Sequence, residues 1–140
     1  MTTQLVAVLG RGVVDPDTPF LLADDAGLTR GDGCFDTVRV VRDDAGTRAD
    51  HLERHLARFA HSAAALSLPA PDLAAWRTLI AEALAAWDTP GESALKLVLT
   101  RGPEHRPGHP TSYLLLTAAD GAALARARAG LRVVTLSRGY

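Results

Sequence analysis

The chain has 140 residues, 47% of them hydrophobic, and its 15 basic and 16 acidic side chains leave a net charge of −1. That is the composition of one folded domain with its own core, not of a disordered tract, and it gives no electrostatic reason to expect nucleic acid or an anionic membrane as partner. One cysteine excludes an internal disulfide framework or a multi-cysteine metal site, no run approaches a membrane span, and MTTQLVAVLGRG has neither a basic start nor a cleavage site, so a cytoplasmic protein is expected.

Leu5 to Leu9 is an apolar run closed by Gly10, the pattern of a buried strand. Val13 to Ala23 carries Pro16 and Pro19 and reads as irregular, with Phe20-Leu21-Leu22 tucked under the fold. Asp24-Asp25-Ala26-Gly27 and Asp43-Asp44-Ala45-Gly46 are turn signals. Between them, Cys34 to Arg42 alternates: Phe35, Thr37, Arg39 and Val41 take one face, Asp36, Val38 and Val40 the other.

A helix follows, with Asp50 as expected N-cap and Glu53 at the capping-box spacing. Its apolar stripe is Leu52, Leu56, Phe59, Ala63 and Leu66. A second helix starts at Pro71 and stripes Leu73, Trp76, Ile80, Leu84 and Trp87, until Pro90-Gly91 stops it. Ala94 to Thr100 and Ser112 to Thr117 read as strands joined by a Gly/Pro-containing loop from Arg101 to Pro110. Ala118 to Ala129 suits a linker or a short helix, and Leu131 to Leu136 opens a further strand.

Several residues invite chemistry. His51 and His55 share a helix face, but Glu53 does not directly follow the first histidine as the zinc-protease pattern requires, and no third ligand is placed. No metal is expected. Cys34 is a candidate nucleophile only if a base is nearby; a lone cysteine opening a strand is otherwise a core residue. Arg58 lies on the border of the apolar stripe, in a polar ridge with His51, His55 and Ser62, while Arg54 and His61 face outward. It can bury its stem and aim its guanidinium at an anion, or it can be a solvated flank. Arg101 and Arg106 share one loop after a buried strand, where two guanidiniums suit a carboxylate; an ordinary surface loop is the alternative. Lys96 is the only lysine, so any mechanism needing a lysine amine from these residues would fall to it.

Three separated motifs, in register, resemble the N-terminal half of the class IV aminotransferases, the fold-type IV pyridoxal phosphate enzymes. They are Arg30-Gly31-Asp32-Gly33-Cys34-Phe35-Asp36-Thr37, then His55-Leu56-Ala57-Arg58-Phe59 with Ser62-Ala63, then Leu95 to Gly102. The resemblance implies an α+β fold, a mostly antiparallel sheet with two helices on one side. It implies pyridoxal 5'-phosphate as cofactor, Arg58 as its phosphate anchor, and Arg106 and Phe35 at the substrate. It implies a homodimer acting on a small amino-acid-like molecule.

Within the family the motifs are most similar to the aminodeoxychorismate lyase subgroup, through Gly31-Asp32-Gly33-Cys34-Phe35 and Leu95-Lys96. That implies conversion of 4-amino-4-deoxychorismate to 4-aminobenzoate and pyruvate, for folate synthesis. D-amino-acid or branched-chain transamination is the alternative, and a short non-catalytic binding or dimerisation module is a further one. Lys96 matches a family lysine other than the one forming the Schiff base, which the resemblance puts beyond Tyr140; these residues then hold no catalytic group. The domains expected are 1–118 as an N-terminal unit, 119–130 as a link, and 131–140 as the first strand of a second unit.

Overall fold

In the computed structural model, residues 3–137 are described. They form one antiparallel sheet of six strands in the order β2-β1-β6-β5-β3-β4. The strands are β1 (Gln4–Val8), β2 (Gly12–Val14), β3 (Gly33–Asp43), β4 (Gly46–Ala49), β5 (Gly91–Thr100) and β6 (Thr111–Ala118). Around them lie α1 (Ala26–Arg30), α2 (Leu52–Ala65), α3 (Leu73–Ala86) and α4 (Gly121–Arg128). The sequence-based α+β expectation holds, with α2 and α3 together on one face of the sheet.

The period of two along the strands decides what each face becomes. Asp36, Val38 and Val40 of β3 stand opposite Leu97, Leu95 and Ser93 of β5, and all six are buried. Leu114 and Leu116 of β6, then Ala7 and Leu5 of β1, continue that face. Leu56, Phe59 and Ala63 of α2 close over it with Trp76, Leu79, Ile80 and Ala83 of α3. The rings of Phe59 and Trp76 meet edge to face at 5.3 Å between centroids, a favoured aromatic geometry. Trp87 Nε1 donates to Ser93 Oγ at 3.1 Å, so one indole is satisfied inside the core.

The opposite face carries Phe35, Thr37 and Arg39 of β3 against Val98, Lys96 and Ala94 of β5, and among the described residues no helix buries a side chain of the core against it. It is covered only toward β1, where Phe20 meets Tyr113 edge-on at 5.0 Å.

Four local expectations need correcting. Asp50 does not cap α2: the residue before the helix is His51, left-handed at φ 52°, with no side-chain cap bond. The Asp50 carboxylate is taken instead by Arg39, and Glu53 reaches sideways to Arg77 of α3 with two bonds of 2.9 and 2.7 Å. Capping-box spacing and an outward-facing carboxylate look alike in sequence. Leu66 is exposed because the chain leaves the helix there, and Leu68 takes its place in the core. Leu21 and Leu22 are exposed, not tucked in.

The fourth concerns Leu131 to Leu136, which form no strand. Leu131, Val133, Val134 and Leu136 are exposed, and no described strand lies beside them to pair their backbone. Residues 138–140, included in the expected strand-bearing unit, lie outside the described residues. Two turns also prove to be more than turns. Asp25, buried, caps α1 by accepting from Gly27 N–H, and the second Asp-Asp-Ala-Gly joins β3 to β4 as a hairpin.

Candidate active site

Arg58 reaches back from α2 to β3. Its Nε and Nη2 donate to the two oxygens of Asp36, each at 2.7 Å. Asp36 is 2% exposed and Arg58 63% exposed at the side chain, so the pair spans the core boundary. His55, one helical turn earlier, places Nδ1 2.7 Å from the same carboxylate. Burial pushes the Asp36 carboxyl up, but the Arg58 and His55 hydrogen bonds outweigh it and leave the carboxyl below its usual value.

A guanidinium has five N–H donors, and Asp36 consumes one edge of it. Nη1 has no protein partner among the described residues, and Arg58 lines a cavity of about 290 Å³ with His51, Arg54 and His55. This is a fixed cation with a free planar edge, on a wall of histidines and arginines. It suits a phosphate.

Phe35 stands on the other face of the same strand. It is 62% exposed, and the Lys96 ammonium lies 4.3 Å from its ring centroid. Both line a cavity of about 280 Å³ with Gly33, Cys34, Val98 and Tyr113. Lys96 has no acidic partner among the described residues, and the Tyr113 hydroxyl has no hydrogen bond there. Burial, then the nearby Asp25 charge, pushes the Tyr113 phenol up, so it stays a neutral donor. Burial and the Asp36 charge likewise push the Cys34 thiol up, the opposite of an activated nucleophile.

Arg106 lies in a third place. Its side chain is exposed, without a partner among the described residues, and lines a cavity of about 300 Å³ with Arg11, Phe20, Leu22 and His109. The structure therefore brings Phe35 to Lys96 and connects Phe35 to Arg58 through the adjacent Asp36, while Arg106 stands apart. Arg101, paired with Arg106 in the sequence reading as a carboxylate binder, has a different occupation. Its Nε and Nη2 donate to Asp32 at 2.7 and 3.1 Å, and Nη1 and Nη2 donate to the Ser67 and Leu66 carbonyls at 3.0 and 3.1 Å.

Asp36 is the partner of Arg58 to which sequence reasoning gave no role. The signal for Asp36 was present: a lone acid on the apolar face of an alternating strand must find a partner. Lys96 was noted as the only lysine, and its place beside Phe35 on the open face is what the structure adds. Among the described residues no group of three or more His, Cys, Asp and Glu is placed to hold a metal, and no helix is long and apolar enough to cross a membrane.

Residues 33–138 match the family Amino-transferase class IV. The chain belongs to that family. It is 37% identical over 137 residues to a bifunctional aminodeoxychorismate lyase / D-amino acid transaminase of Mycobacterium tuberculosis, a match that covers 96% of this chain and 46% of that protein. A fold IV-transaminase from Curtobacterium pusillum superposes with a TM-score of 0.85 at 35% identity, over 98% of this chain and 49% of that one. The pyridoxal phosphate-bound form of a hypothetical aminotransferase from Mycobacterium tuberculosis superposes with a TM-score of 0.78 at 36% identity, over 91% of this chain and 44% of that one. The chain thus spans about half the length of the relatives it matches. The sheet described above corresponds to the N-terminal domain of these aminotransferases.

Proposed function

We propose that this chain is the N-terminal half of a pyridoxal phosphate-dependent enzyme that converts 4-amino-4-deoxychorismate to 4-aminobenzoate and pyruvate. The observation that carries the reading is the pair of cations left without acidic partners, Lys96 beside Phe35 and Arg106 in its loop. The substrate is a dicarboxylate, and two unpaired cations match its two negative ends. The bifunctional relative's name includes this activity beside a transaminase one.

The residues divide the work as follows. Arg58, held by Asp36 and flanked by His55, binds the cofactor phosphate with its free edge. Phe35 offers an apolar wall to the substrate ring, and Lys96 approaches a carboxylate from the same face. Arg106 binds the second carboxylate, for its own subunit or for the other subunit of a homodimer. Pyridoxal phosphate, held at its phosphate by Arg58, would supply the electron sink that cleavage of a carbon–hydrogen bond and loss of the enolpyruvyl group require.

The lysine that holds the cofactor lies in the other half of the protein on this reading. Lys96 is not assigned that role, because its place in the Leu95 to Gly102 motif resembles that of a different family lysine. Residues 1–118 are then one domain, 119–130 a link that includes α4, and 131–140 the opening of a second domain.

A transaminase acting on D-amino acids is the second reading, favoured by the second activity in the relative's name. The test is to supply the pyridoxal phosphate-loaded protein with 4-amino-4-deoxychorismate and, separately, with an amino acid and a keto acid. Release of 4-aminobenzoate supports the lyase reading. Amino transfer without 4-aminobenzoate removes it.

A further inference from the structure

Arg101 is the point at which three site-bearing segments meet. The first is the turn ahead of β3: the Asp32 carboxylate takes Arg101 Nε and Nη2, and the Asp32 carbonyl accepts the Arg101 backbone N–H at 3.0 Å. Two residues after this turn, Phe35 and Asp36 follow. The second is the end of α2, where the Leu66 and Ser67 carbonyls accept from Nη2 and Nη1. These are the carbonyls of the C-cap residue and the one after it, just past the end of the helix that carries His55 and Arg58. Ser67 is itself left-handed, at φ 52°, a conformation costly for serine unless its surroundings hold it. The third is the loop that Arg101 begins, which carries Arg106.

That loop is closed tightly. Gly102, at φ +88°, lies so close to the far end of the loop that a Cβ there would stand 1.9 Å from the His109 carbonyl oxygen. Its own carbonyl accepts from Ala26 N–H at 2.9 Å, and His105 pairs with Asp24. The loop is therefore bound to α1 on one side and, through Arg101 alone among its side chains, to the end of α2 on the other. The Arg101 hydrogen bonds to Asp32 hold that carboxyl below its usual value, so it is ionised wherever the enzyme would work.

We propose that Arg101 is a positioning residue: one guanidinium sets the end of α2, the turn before β3 and the substrate loop relative to one another. It thereby fixes the separation between the phosphate anchor Arg58 and the substrate arginine Arg106. Its four side-chain donor contacts leave it no free edge for a ligand. The inference rests on the roles proposed for Arg58 and Arg106.

The experiment uses the complete protein. Pyridoxal phosphate affinity is read by titrating the apo-protein and following visible absorbance; substrate KM and melting temperature are read beside it. Arg101→Gln removes the fork and is expected to weaken cofactor affinity and raise KM, each on the order of tenfold, because a displacement of about 1 Å is enough for such losses. Arg101→Lys can keep a bond to Asp32 but cannot reach both carbonyls, and it restores part of each. Should Arg101→Gln fail to fold, Arg101→Lys and Asp32→Asn carry the test, with the same two losses expected at smaller size.

A lowered melting temperature with both affinities at the wild-type level would show a merely structural bond and overturn the proposal. Arg58→Ala and Arg106→Ala separate the layers. If they weaken cofactor and substrate binding while the Arg101 variants do not, only the positioning role falls. If they too change nothing, the site reading falls and this inference with it.

Discussion

The two faces of the sheet are made by the same strands and have opposite characters. On the helix side of β3 and β5, alternate residues are buried, and the one acid among them, Asp36, is bonded to Arg58 and His55. On the other side, one register step away, Phe35 is largely exposed, Lys96 has no acidic partner among the described residues, and the Tyr113 hydroxyl is unbonded there. A face that only served stability would not be expected to leave a cation without a counter-charge and a phenol hydroxyl without a hydrogen bond beside an exposed ring. The helix-side face holds the fold and, at its border, the Asp36–Arg58 pair; the other leaves Phe35 and Lys96 open, and β3 carries both.

Paired substitutions on the two faces break this comparison most directly. Phe59→Ala empties a site between α2 and α3 that is fully buried and in aromatic contact with Trp76. It should cost about 3–5 kcal/mol of stability, as truncations of buried rings do. Phe35→Ala should cost only about 0.5–1 kcal/mol, the scale of an exposed cation–π contact, while raising substrate KM. Urea denaturation measures the first quantity and steady-state kinetics the second. Equal stability losses at the two phenylalanines would mean that the second face is also core.

The sheet was legible because its information is local. Alternation from Cys34 to Arg42 gives both faces of β3, and the helix stripes give Leu56, Phe59, Trp76 and Ile80 as core. Boundaries at helix starts were less legible. Asp50 has the chemistry of an N-cap, but its position beside Arg39 of the neighbouring strand is a long-range fact that no spacing carries. The site followed the same rule. Arg58 could be placed on the helix border, yet its carboxylate partner lies 22 residues earlier in the chain. Arg101 looked like a ligand arginine because its partners, two backbone carbonyls and a turn aspartate, have no signature in sequence. The strand read at Leu131 to Leu136 has the right apolar residues but no described neighbour to pair with, and pairing is what makes a strand.

Lys96 sharpens the comparison by a smaller effect. Lys96→Met keeps the length and apolar stem and deletes only the charge. Fold stability should change little, since the ammonium has no ion pair to lose among the described residues. KM for a dicarboxylate should rise on the order of tenfold or more, the value of a lost hydrogen bond between charged groups. A monocarboxylate amino acid that leaves Lys96 unused should show no such rise. An unchanged KM for both would remove Lys96 from the site.

The smallest effect comes from the far end of the open face. Glu92 stands on the face of Ala94 and Lys96, but roughly 13 Å along the strand from the lysine, too far to pair with it. It is engaged elsewhere, by Arg39 Nε at 2.6 Å and by Arg128 of α4 at 2.7 Å. Bonds from Arg128 and Arg39 hold its carboxyl down to about 2, against an ordinary value of 4.5. A carboxyl depressed by folding stabilises above its unfolded value, and that contribution is lost as the pH falls from about 4.5 toward about 2. Because α4 buries no residue, this ion pair is its main visible hold on the sheet. Protection of the α4 amides, taken against their intrinsic exchange rate at each pH, should therefore fall across that acid window well before that of the core strands. Glu92→Gln should make α4 exchange fast at neutral pH and flatten the acid dependence of its protection, while the exchange of β5 stays slow. If α4 remains protected in Glu92→Gln, apolar contacts hold the helix, and the paired end of the open face is not what separates it from the unpaired end at Lys96.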